Sequence, residues 1–420
     1  MNALTYDVLS SAIAGDGVGL RARIDLEPLG GPGDKVFPAS FGVSERAETK
    51  YATEQRRFDG MSVESVLLNS VAAEANRVEL ALLEAFRSGE VSLPMVSIDF
   101  AAAGLPEYDR LSVFEVSHRI YDAALRDSLL GDVLFRFSEV GRAITEATPK
   151  SAAALFHYAP GALLFGAWDS TGPRGGRGSK FERALTSEII GLNSVRGVKV
   201  GSRIDVLAIE KGQALYESID KQEGWTLDES RARKDKGKPV LYSRTGSSGK
   251  AGDPSHANHG NIPPTIDTQA GGVSIDKAIQ IVVLSFGALR KFRFPVDHTG
   301  APISPDRRAA AEAAARSALA AMGIAGTLLA YEGDYDLRSR CVLRPTSQLT
   351  FELMRRGVEK SEVLSVDRNS ALSLLTEAVR AATAAGIGWH EEEISLAPSE
   401  RLVTLIKRSR ELAVESPEST

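Results

Sequence analysis

The 420-residue sequence is poor in cysteine, in aromatic residues and in long apolar runs. Its single cysteine, Cys341, excludes an intramolecular disulfide framework and a zinc site built on several thiolates. No stretch approaches the roughly 18 consecutive apolar residues of a membrane span. No basic segment followed by an apolar core opens the chain. We therefore expect a reduced, cytoplasmic protein that has neither a secretory signal nor a membrane partner.

Recognisable catalytic patterns are also absent from the sequence. There is no Ser-His-Asp order, and no pair of carboxylates has a matching partner. Ser179 separates Gly178 from Lys180, so the segment 168–184 fails the phosphate-loop pattern of nucleotide hydrolases. His256 and His259 lack a cysteine or an acidic pair that would complete a metal site. We predict no enzyme, no metal and no cofactor; the alternative is a phosphate-loop nucleotide hydrolase or a metal-dependent RNA nuclease.

The overall composition is that of a globular chain with a large core. Charged residues make up 25% of the chain and hydrophobic residues 43%, and the length suggests two to three domains. The net charge of −5 argues weakly against a protein that coats nucleic acid with its whole surface. Because salt screens charges beyond about 8–10 Å, the location of the basic residues decides more than their sum.

Hydrophobic periodicity predicts a mixture of strands and helices. Strands are predicted at 20–27, 95–100, 204–209, 279–286 and 324–331, and helices at 63–87, 113–130, 181–192, 305–322, 369–386 and 399–414. Strand–helix–strand units in this order predict an α+β fold with an RRM-like or ferredoxin-like core and large insertions that project from it. The predicted core covers 1–209 and 276–350, a basic, Gly/Pro-rich inserted loop covers 210–275, and a helical segment covers 351–420.

A glycine-rich loop at 170–179 is the strongest candidate for a functional segment. Glycine lets backbone N–H groups approach a phosphate, and arginine forks match phosphate oxygens. Over 171–204, seven basic residues stand against two acidic ones. The loop therefore predicts contact with a phosphate backbone, and a flexible surface loop with incidental charge is the alternative. Its glycines are Gly172, Gly175, Gly176 and Gly178, and its first basic residues are Arg174, Arg177 and Lys180.

Other basic segments admit both a functional and a structural interpretation. The turn at 30–35 presents Lys35 either to an anion or simply to solvent. The segment 286–295 interleaves basic residues with Phe286, Phe292 and Phe294, which predicts either base stacking or an ordinary core. The run 231–250 predicts a mobile basic finger or a solvated face, and its first basic residues are Arg231, Arg233, Lys234, Lys236 and Lys238.

Several of these segments together resemble one known family. The sequence resembles the backbone subunit of type I-G (formerly I-U) CRISPR interference complexes, the seventh Cas family within the RAMP superfamily. The resemblance runs from about residue 20 to residue 345. It is carried by PLGGPGDKVFP (28–38), YATEQRR (51–57), LLNSVAAEANRVELAL (67–82), HRIYDAALRDS (118–128), FGAWDSTGPRGGRGSKFERALTSEIIGLN (165–193), SRID (202–205), NHGNIPP (258–264) and LSFGALRKFRFP (284–295).

The resemblance implies that the core is an RRM-like palm with large inserted finger and thumb elements, and that the inserted loop 210–275 is a thumb. It also implies several copies stacked head to tail along one CRISPR RNA. It also implies further partners: the target DNA strand, the large subunit, the fused repeat-processing subunit and, transiently, a helicase-nuclease. Binding any spacer requires contacts to phosphate and sugar that leave the base edges free. We predict such backbone contacts for Lys35, Arg119, Arg174, Arg177, Lys180, Arg203, Arg290 and Arg293.

Two loop aspartates bear on the question of catalysis. Related backbone subunits of type III complexes cut target RNA with a loop aspartate, and Asp34 and Asp169 are loop acids in this sequence. Type I subunits are not expected to cut. We therefore predict a structural or local hydrogen-bonding role for both aspartates.

Overall fold

The computed structural model describes residues 2–44, 46–172, 178–244 and 249–415, which form two compact units. The first unit comprises the N-terminal residues up to Phe41, Tyr51–Val195 and Val273–Leu402. The second comprises Gly42–Lys50, Arg196–Gly272 and the residues from Val403 onward.

A ten-stranded sheet forms the centre of the first unit, as far as the described residues show. Its strands are β1 Asn2–Ala3, β2 Gly17–Pro28, β3 Thr53–Phe58, β4 Met61–Asn69, β5 Leu185–Leu192, β6 Lys277–Ser285, β7 Tyr335–Arg338, β8 Cys341–Pro345, β9 Phe351–Arg355 and β10 Glu362–Ser365. The order across the sheet is β1-β10-β9-β2-β6-β5-β4-β3, and β8 pairs with both β2 and β7. Period-two burial of Leu20, Ala22, Ile24 and Leu26 explains why β2 forms.

Five helices longer than eight residues accompany the strands in the described residues. They are α1 Tyr6–Ala14, α2 Val71–Arg87, α3 Pro305–Glu332, α4 Arg368–Ala384 and α5 Glu400–Glu415. Helix α2 packs on β5 and on α3, and α3 also packs on α1 and α4. Strands β9, β2, β6 and β5 are each antiparallel to their neighbours. Two strand–helix–strand units, β2-α2-β5 and β6-α3-β9, are thus interleaved, which confirms an α+β fold.

Helix α3 forms the centre of the helical layer. It is the one helix in the described ranges that is long and apolar enough to cross a membrane, and 94% of its most apolar window is buried inside the protein. A Cβ at Gly326 would lie 2.7 Å from Val78 Cγ1, so glycine is needed there for close contact with α2. The prediction that the helix ends at Gly323 is therefore wrong, and so is the strand predicted at 324–331. Helix α3 continues through Gly323 and Gly326, which allow close packing against neighbouring side chains.

A buried polar cluster joins α2 to the sheet. The carboxylate of Glu74 is completely buried. It accepts hydrogen bonds from Asn69 Nδ2 (2.7 Å), Ser187 Oγ (3.0 Å) and Gln280 Nε2 (2.7 Å). Arg77 completes the cluster with an ion pair to Glu74 of 3.1 Å. A carboxylate with this many donors remains stable away from water.

Smaller elements complete the first unit. A five-stranded sheet has the order Arg110–Ser112, Val96–Asp99, Ile394–Pro398, Ser128–Leu130 and Val133–Leu134. Short helices are Ala123–Arg126, Glu139–Glu146, Ala153–Tyr158, Pro160–Leu164 and Phe286–Leu289, and 3-10 turns are Pro106–Tyr108, Arg119–Tyr121 and Phe135–Phe137. Further short strands are Lys35–Val36, Ala167–Trp168, Lys180–Phe181, Val195–Arg196 and Val273–Ser274.

The second unit consists mainly of short hairpins. Lys199–Arg203 pairs with Ile262–Asp267, Tyr216–Glu217 pairs with Trp225–Thr226, and Lys234–Asp235 pairs with Lys238–Pro239. A 3-10 turn covers Pro254–Ala257. The strand predicted at 204–209 is wrong, because the strand ends at Arg203 and the following apolar residues are exposed.

Several predicted helices are also wrong. The segment predicted as a helix at 63–87 is split: β4 comes first, and α2 begins only after Ser70, whose Oγ accepts from Ala73 N at 3.2 Å. The range 181–192 contains β5, and 113–130 contains only a 3-10 turn, the four-residue helix Ala123–Arg126 and a short strand. Apolar residues three or four apart also fit buried strands over short windows, so periodicity misled here.

Other predictions agree with the structure. The strands predicted at 20–27, 95–100 and 279–286 correspond to β2, to Val96–Asp99 and to β6, and the helices predicted at 369–386 and 399–414 correspond to α4 and α5. The C-terminal segment 351–420 is not entirely helical, because it supplies β9, β10 and Ile394–Pro398.

Candidate nucleic-acid interface

A short hairpin closes the base of the glycine-rich loop. Its strands Ala167–Trp168 and Lys180–Phe181 are antiparallel, and Trp168 lies opposite Lys180. The indole is 52% exposed, and Lys180 is also exposed. Directly paired residues of an antiparallel ladder project to the same face. The hairpin therefore presents an aromatic ring and a cation side by side, a combination suited to stacking on a base and contacting a phosphate.

Asp169 directly precedes the glycine-rich loop, and its buried side chain is held by Arg136. The side chain is 1% exposed, and its Oδ1 accepts from Arg136 Nη2 at 2.8 Å. The same guanidinium donates from Nη1 to the carbonyl oxygen of Thr171 at 2.7 Å. Asp169 Oδ2 has no hydrogen-bond partner among the residues that the structure describes. These contacts give Asp169 the local hydrogen-bonding role expected from the sequence.

The glycines nearest to Asp169 are required by close approach. A Cβ at Gly178 would lie 1.9 Å from the carbonyl oxygen of Asp169, and a Cβ at Gly172 would lie 2.9 Å from Asp169 Oδ2. Both glycines therefore allow the chain to pass over Asp169. Arg174, Gly175, Gly176 and Arg177 lie outside the described residues, so their predicted contacts stay predictions.

Tyr121 shares the buried surroundings of Asp169. Its hydroxyl donates to the carbonyl oxygen of Ile144 at 3.0 Å. Burial, followed by the negative charge of Asp169, raises the pKa of Tyr121 above its usual range. Tyr121 is thus a neutral hydrogen-bond donor. Its hydrogen bond joins the 3-10 turn Arg119–Tyr121 to the backbone at Ile144.

Arg119 lies inside the first unit, which contradicts a surface contact with RNA. Its side chain is 9% exposed, and its Nε and Nη2 lie 2.6 and 2.7 Å from the two carboxylate oxygens of Glu79. Its Nη1 donates to the carbonyl oxygen of Gly166 at 3.0 Å. Burial raises the pKa of Glu79, and Arg119 opposes this shift. A guanidinium engaged in this way anchors the chain and is not available to a polymer at the surface.

Arg290 also has a structural role. Its guanidinium donates to the carbonyl oxygens of Ala12, Ile13, Gly15 and Gly17. These carbonyls lie at the end of α1 and the start of β2, where a helix leaves acceptors unpaired. Nε and Nη2 of Arg290 are thus engaged inside the first unit, and its predicted contact with a phosphate stays a prediction.

Arg293, another basic residue of the segment 286–295, is more accessible than Arg290. Arg293 pairs with Glu312 at 2.8 Å, yet its side chain is 57% exposed. The neighbouring rings of Phe286, Phe292 and Phe294 belong to the core. The stacking interpretation of this segment is wrong for these rings, and the interpretation as core is confirmed.

Lys35 and Asp34 lie in the turn after β2. Lys35 is half-buried in the strand Lys35–Val36, which pairs with Val273–Ser274. The carboxylate of Asp34 lies so close to Gly30 that a Cβ there would approach Asp34 Oδ2 to 2.3 Å. A Cβ at Gly30 would therefore force the side chain of Asp34 to move.

The basic residues of the second unit that were singled out in the sequence form two groups: some are engaged by neighbouring groups, and the others are exposed on one hairpin. Arg203 donates to the carbonyl oxygens of Gly260 (3.1 Å) and His259 (2.7 Å), which connects the strand Lys199–Arg203 to the adjacent loop. Arg231 pairs with Glu223, and Arg233 pairs with Glu217. By contrast, Lys234, Lys236 and Lys238 are exposed on one tight hairpin, whose turn has positive φ at Lys236 (48°) and Gly237 (78°).

His256, one of the two histidines considered as metal ligands, has a hydrogen bond within the second unit. His256 is buried, and its Nδ1 accepts from the backbone N of Arg244 at 2.9 Å. In the described ranges, no group of three His, Cys, Asp or Glu side chains is placed to hold a metal ion.

Sequence reasoning missed Arg136 and Trp168. Arg136 lies in a 3-10 turn far from the loop in sequence, so only the fold reveals its contact with Asp169. Trp168 lies two residues before the loop at 170–179. In the sequence it shows only as an aromatic residue between an apolar segment and the glycines of the loop.

The sequence also matches one family of known proteins. Residues 20–196 match the family described as CRISPR-associated protein GSU0053 (Cas_GSU0053). The matched region includes most of β2 (from Leu20 onward), and all of α2, the hairpin with Trp168 and Lys180, and β5. No curated protein matches the chain. The match marks this region as similar to CRISPR-associated proteins and points to a role in CRISPR defence.

Proposed function

We propose that this chain is a non-catalytic backbone subunit of a type I-G CRISPR interference complex. It binds the spacer of a CRISPR RNA through sugar and phosphate and stacks head to tail with further copies along that RNA. The bases stay free to pair with a target DNA strand. The large subunit, the repeat-processing subunit and a helicase-nuclease are its further partners in the cytoplasm.

The strand order of the central sheet supports an RRM-like palm. Numbered along the chain as first to fourth, β2, β5, β6 and β9 lie in the order fourth, first, third, second, and all neighbours are antiparallel. This order defines the ferredoxin-like split of two strand–helix–strand units. The long segments between β2 and β5, and between β5 and β6, then are the insertions that form finger and thumb.

The observation that carries the proposal is the pairing of exposed Trp168 with exposed Lys180 at the base of a glycine-rich loop. A ring stacks on any base and an ammonium attracts any phosphate, so this pair binds RNA without reading its sequence. Asp169 is engaged with Arg136 below the pair, which leaves it badly placed as a catalytic acid.

The alternative of a phosphate-loop nucleotide hydrolase is less well supported. In such loops the glycines let backbone N–H groups surround an anion. Here Gly172 and Gly178 approach the carboxylate and carbonyl oxygens of Asp169. Oxygen atoms at these positions would repel a phosphate.

The test measures RNA binding by fluorescence anisotropy with several unrelated single strands. Lys180→Ala is expected to weaken binding of all strands alike and to reduce the salt slope by about 0.7, the value for one phosphate contact on a single strand. Trp168→Ala is expected to cost about 1–3 kcal/mol of binding free energy and to leave the slope unchanged. Lys360→Ala removes an exposed lysine between β9 and β10 and is the matched control. A loss confined to one RNA sequence would contradict the proposal.

A further inference from the structure

A cavity of about 450 Å³ lies beside the base of the glycine-rich loop, and the contacts proposed above do not use it. Residues between 126 and 171 line it, together with Arg401. Its size falls within the range of small-molecule sites. Four arginines contribute to its wall: Arg126, Arg136, Arg142 and Arg401.

Three of these guanidiniums are held in place by acids. Arg126 and Arg401 both pair with Asp127, at 2.9 and 2.5 Å. Arg136 is held by Asp169. Guanidiniums fixed in this way lose little freedom when a planar ligand stacks on them or accepts their hydrogen bonds.

Arg142 differs from the other three. It is exposed on the helix Glu139–Glu146, and its guanidinium has no ion pair or hydrogen bond with any residue that the structure describes. Glu146, one turn further along, lines the same cavity but forms no ion pair with it within the described residues. Arg142 is therefore the cation best placed to accept a new anionic partner such as a phosphate.

Two apolar side chains, Leu134 and Phe137, also contribute to the wall, beside the polar residues Asp127, Thr145, Glu146 and Thr171. Phe137 lines the cavity and is 62% exposed, and Leu134 lies beside it in the chain. A largely exposed phenylalanine ring at the edge of a cavity is stabilised when it packs against a flat apolar surface, because both surfaces are then removed from water. Fixed guanidiniums, an open aromatic ring and one unengaged cation together match the chemistry of a nucleobase with an attached phosphate.

We propose that this cavity binds one nucleoside 5′-monophosphate unit, with the base against Phe137 and the phosphate at Arg142. The unit comes either from a free nucleotide or from a nucleotide of a bound strand. Only the second source rests on the proposed function, because it requires that the protein bind RNA.

Two binding experiments on the full chain separate these sources. Isothermal titration with AMP, GMP and inorganic phosphate tests the free nucleotide. The fluorescence of a single-stranded RNA with one 2-aminopurine tests the strand, since stacking of that base changes its emission. Phe137→Ala and Arg142→Ala are compared with the control Lys360→Ala, and the thermal unfolding midpoint of each variant shows whether it is folded.

The expected result is saturable binding in at least one experiment, weakened at least tenfold by Arg142→Ala and partly restored by Arg142→Lys. Phe137→Ala should weaken binding of the nucleotide and leave binding of inorganic phosphate unchanged. If anisotropy shows RNA binding while neither experiment detects a nucleotide in the cavity, this inference fails and the proposed function stands. If AMP binds but RNA does not, the proposed function fails and the nucleotide site stands. Equal binding of phosphate and AMP would overturn the site.

Discussion

Removal of Arg119 distinguishes an internal anchor from a residue that contacts RNA. Arg119→Ala deletes the guanidinium that faces both carboxylate oxygens of Glu79. Glu79 is 2% exposed, so its charge would remain buried without its ion-pair partner. The carbonyl oxygen of Gly166 would lose its donor at the same time. We expect the variant to be less stable and to bind RNA normally while it is folded.

The size of the effect follows from the burial of the pair. Breaking a buried ion pair by removing one partner costs about 3–5 kcal/mol. With an unfolding entropy of about 2.1 cal/mol/K per residue and about 320 residues in the first unit, this lowers the unfolding midpoint by roughly 4–8 °C. The double variant Glu79→Gln with Arg119→Met removes both charges, and we expect it to lose less stability than Arg119→Ala.

The assay combines thermal unfolding, followed by circular dichroism, with RNA anisotropy well below the unfolding midpoint. Arg119→Ala should lower the midpoint and change the dissociation constant for RNA less than twofold. An unchanged midpoint together with a tenfold loss of RNA binding would refute the internal role. It would restore Arg119 to the RNA-binding surface.

Three further predictions concern other parts of the first unit. Burial, together with nearby His390 and His298, lowers the pKa of His157 from its ordinary value of 6.5, so the unfolded chain takes up the proton first. The midpoint should therefore fall as the pH drops below about 7, and His157→Gln should flatten this fall while the exposed His118→Gln does not. Gly178→Ala, whose Cβ would meet the Asp169 carbonyl, should speed proteolysis between residues 169 and 180, whereas Gly42→Ala, with open space around it, should not. Arg290→Ala removes hydrogen bonds to four carbonyls and should cost about 3 kcal/mol in urea unfolding, whereas the exposed Arg293→Ala should cost less than about 1 kcal/mol.

The fold was predictable where a single element shows an unambiguous pattern. The alternation in β2 and the apolar run of β6 identify the two central strands from the sequence. The second half of α3 could not be recognised, because Gly323 and Gly326 usually end a helix and here allow close contact with neighbouring side chains. Such glycines can be interpreted only when the neighbouring helix is known.

The candidate site was predictable only in part. The glycine-rich loop and Lys180 stood out from their composition, but burial decides which arginines reach the surface. Arg119 and Arg290 look like surface cations in the sequence, yet each meets acceptors that fold back from distant parts of the chain. The contact of Arg136 with Asp169 depends on the same long-range folding.

The central position of β2 has a consequence for synthesis of the protein. Its partner strands β6, β8 and β9 leave the ribosome roughly 250 or more residues later, which at 5–20 residues per second is a delay of at least roughly 12–50 s. During that time both edges of β2 lack their partners and its apolar face lacks its cover. Unpaired strand edges and an uncovered apolar face make such a nascent chain prone to aggregation. A chain truncated before Ser285 is expected to self-associate instead of folding.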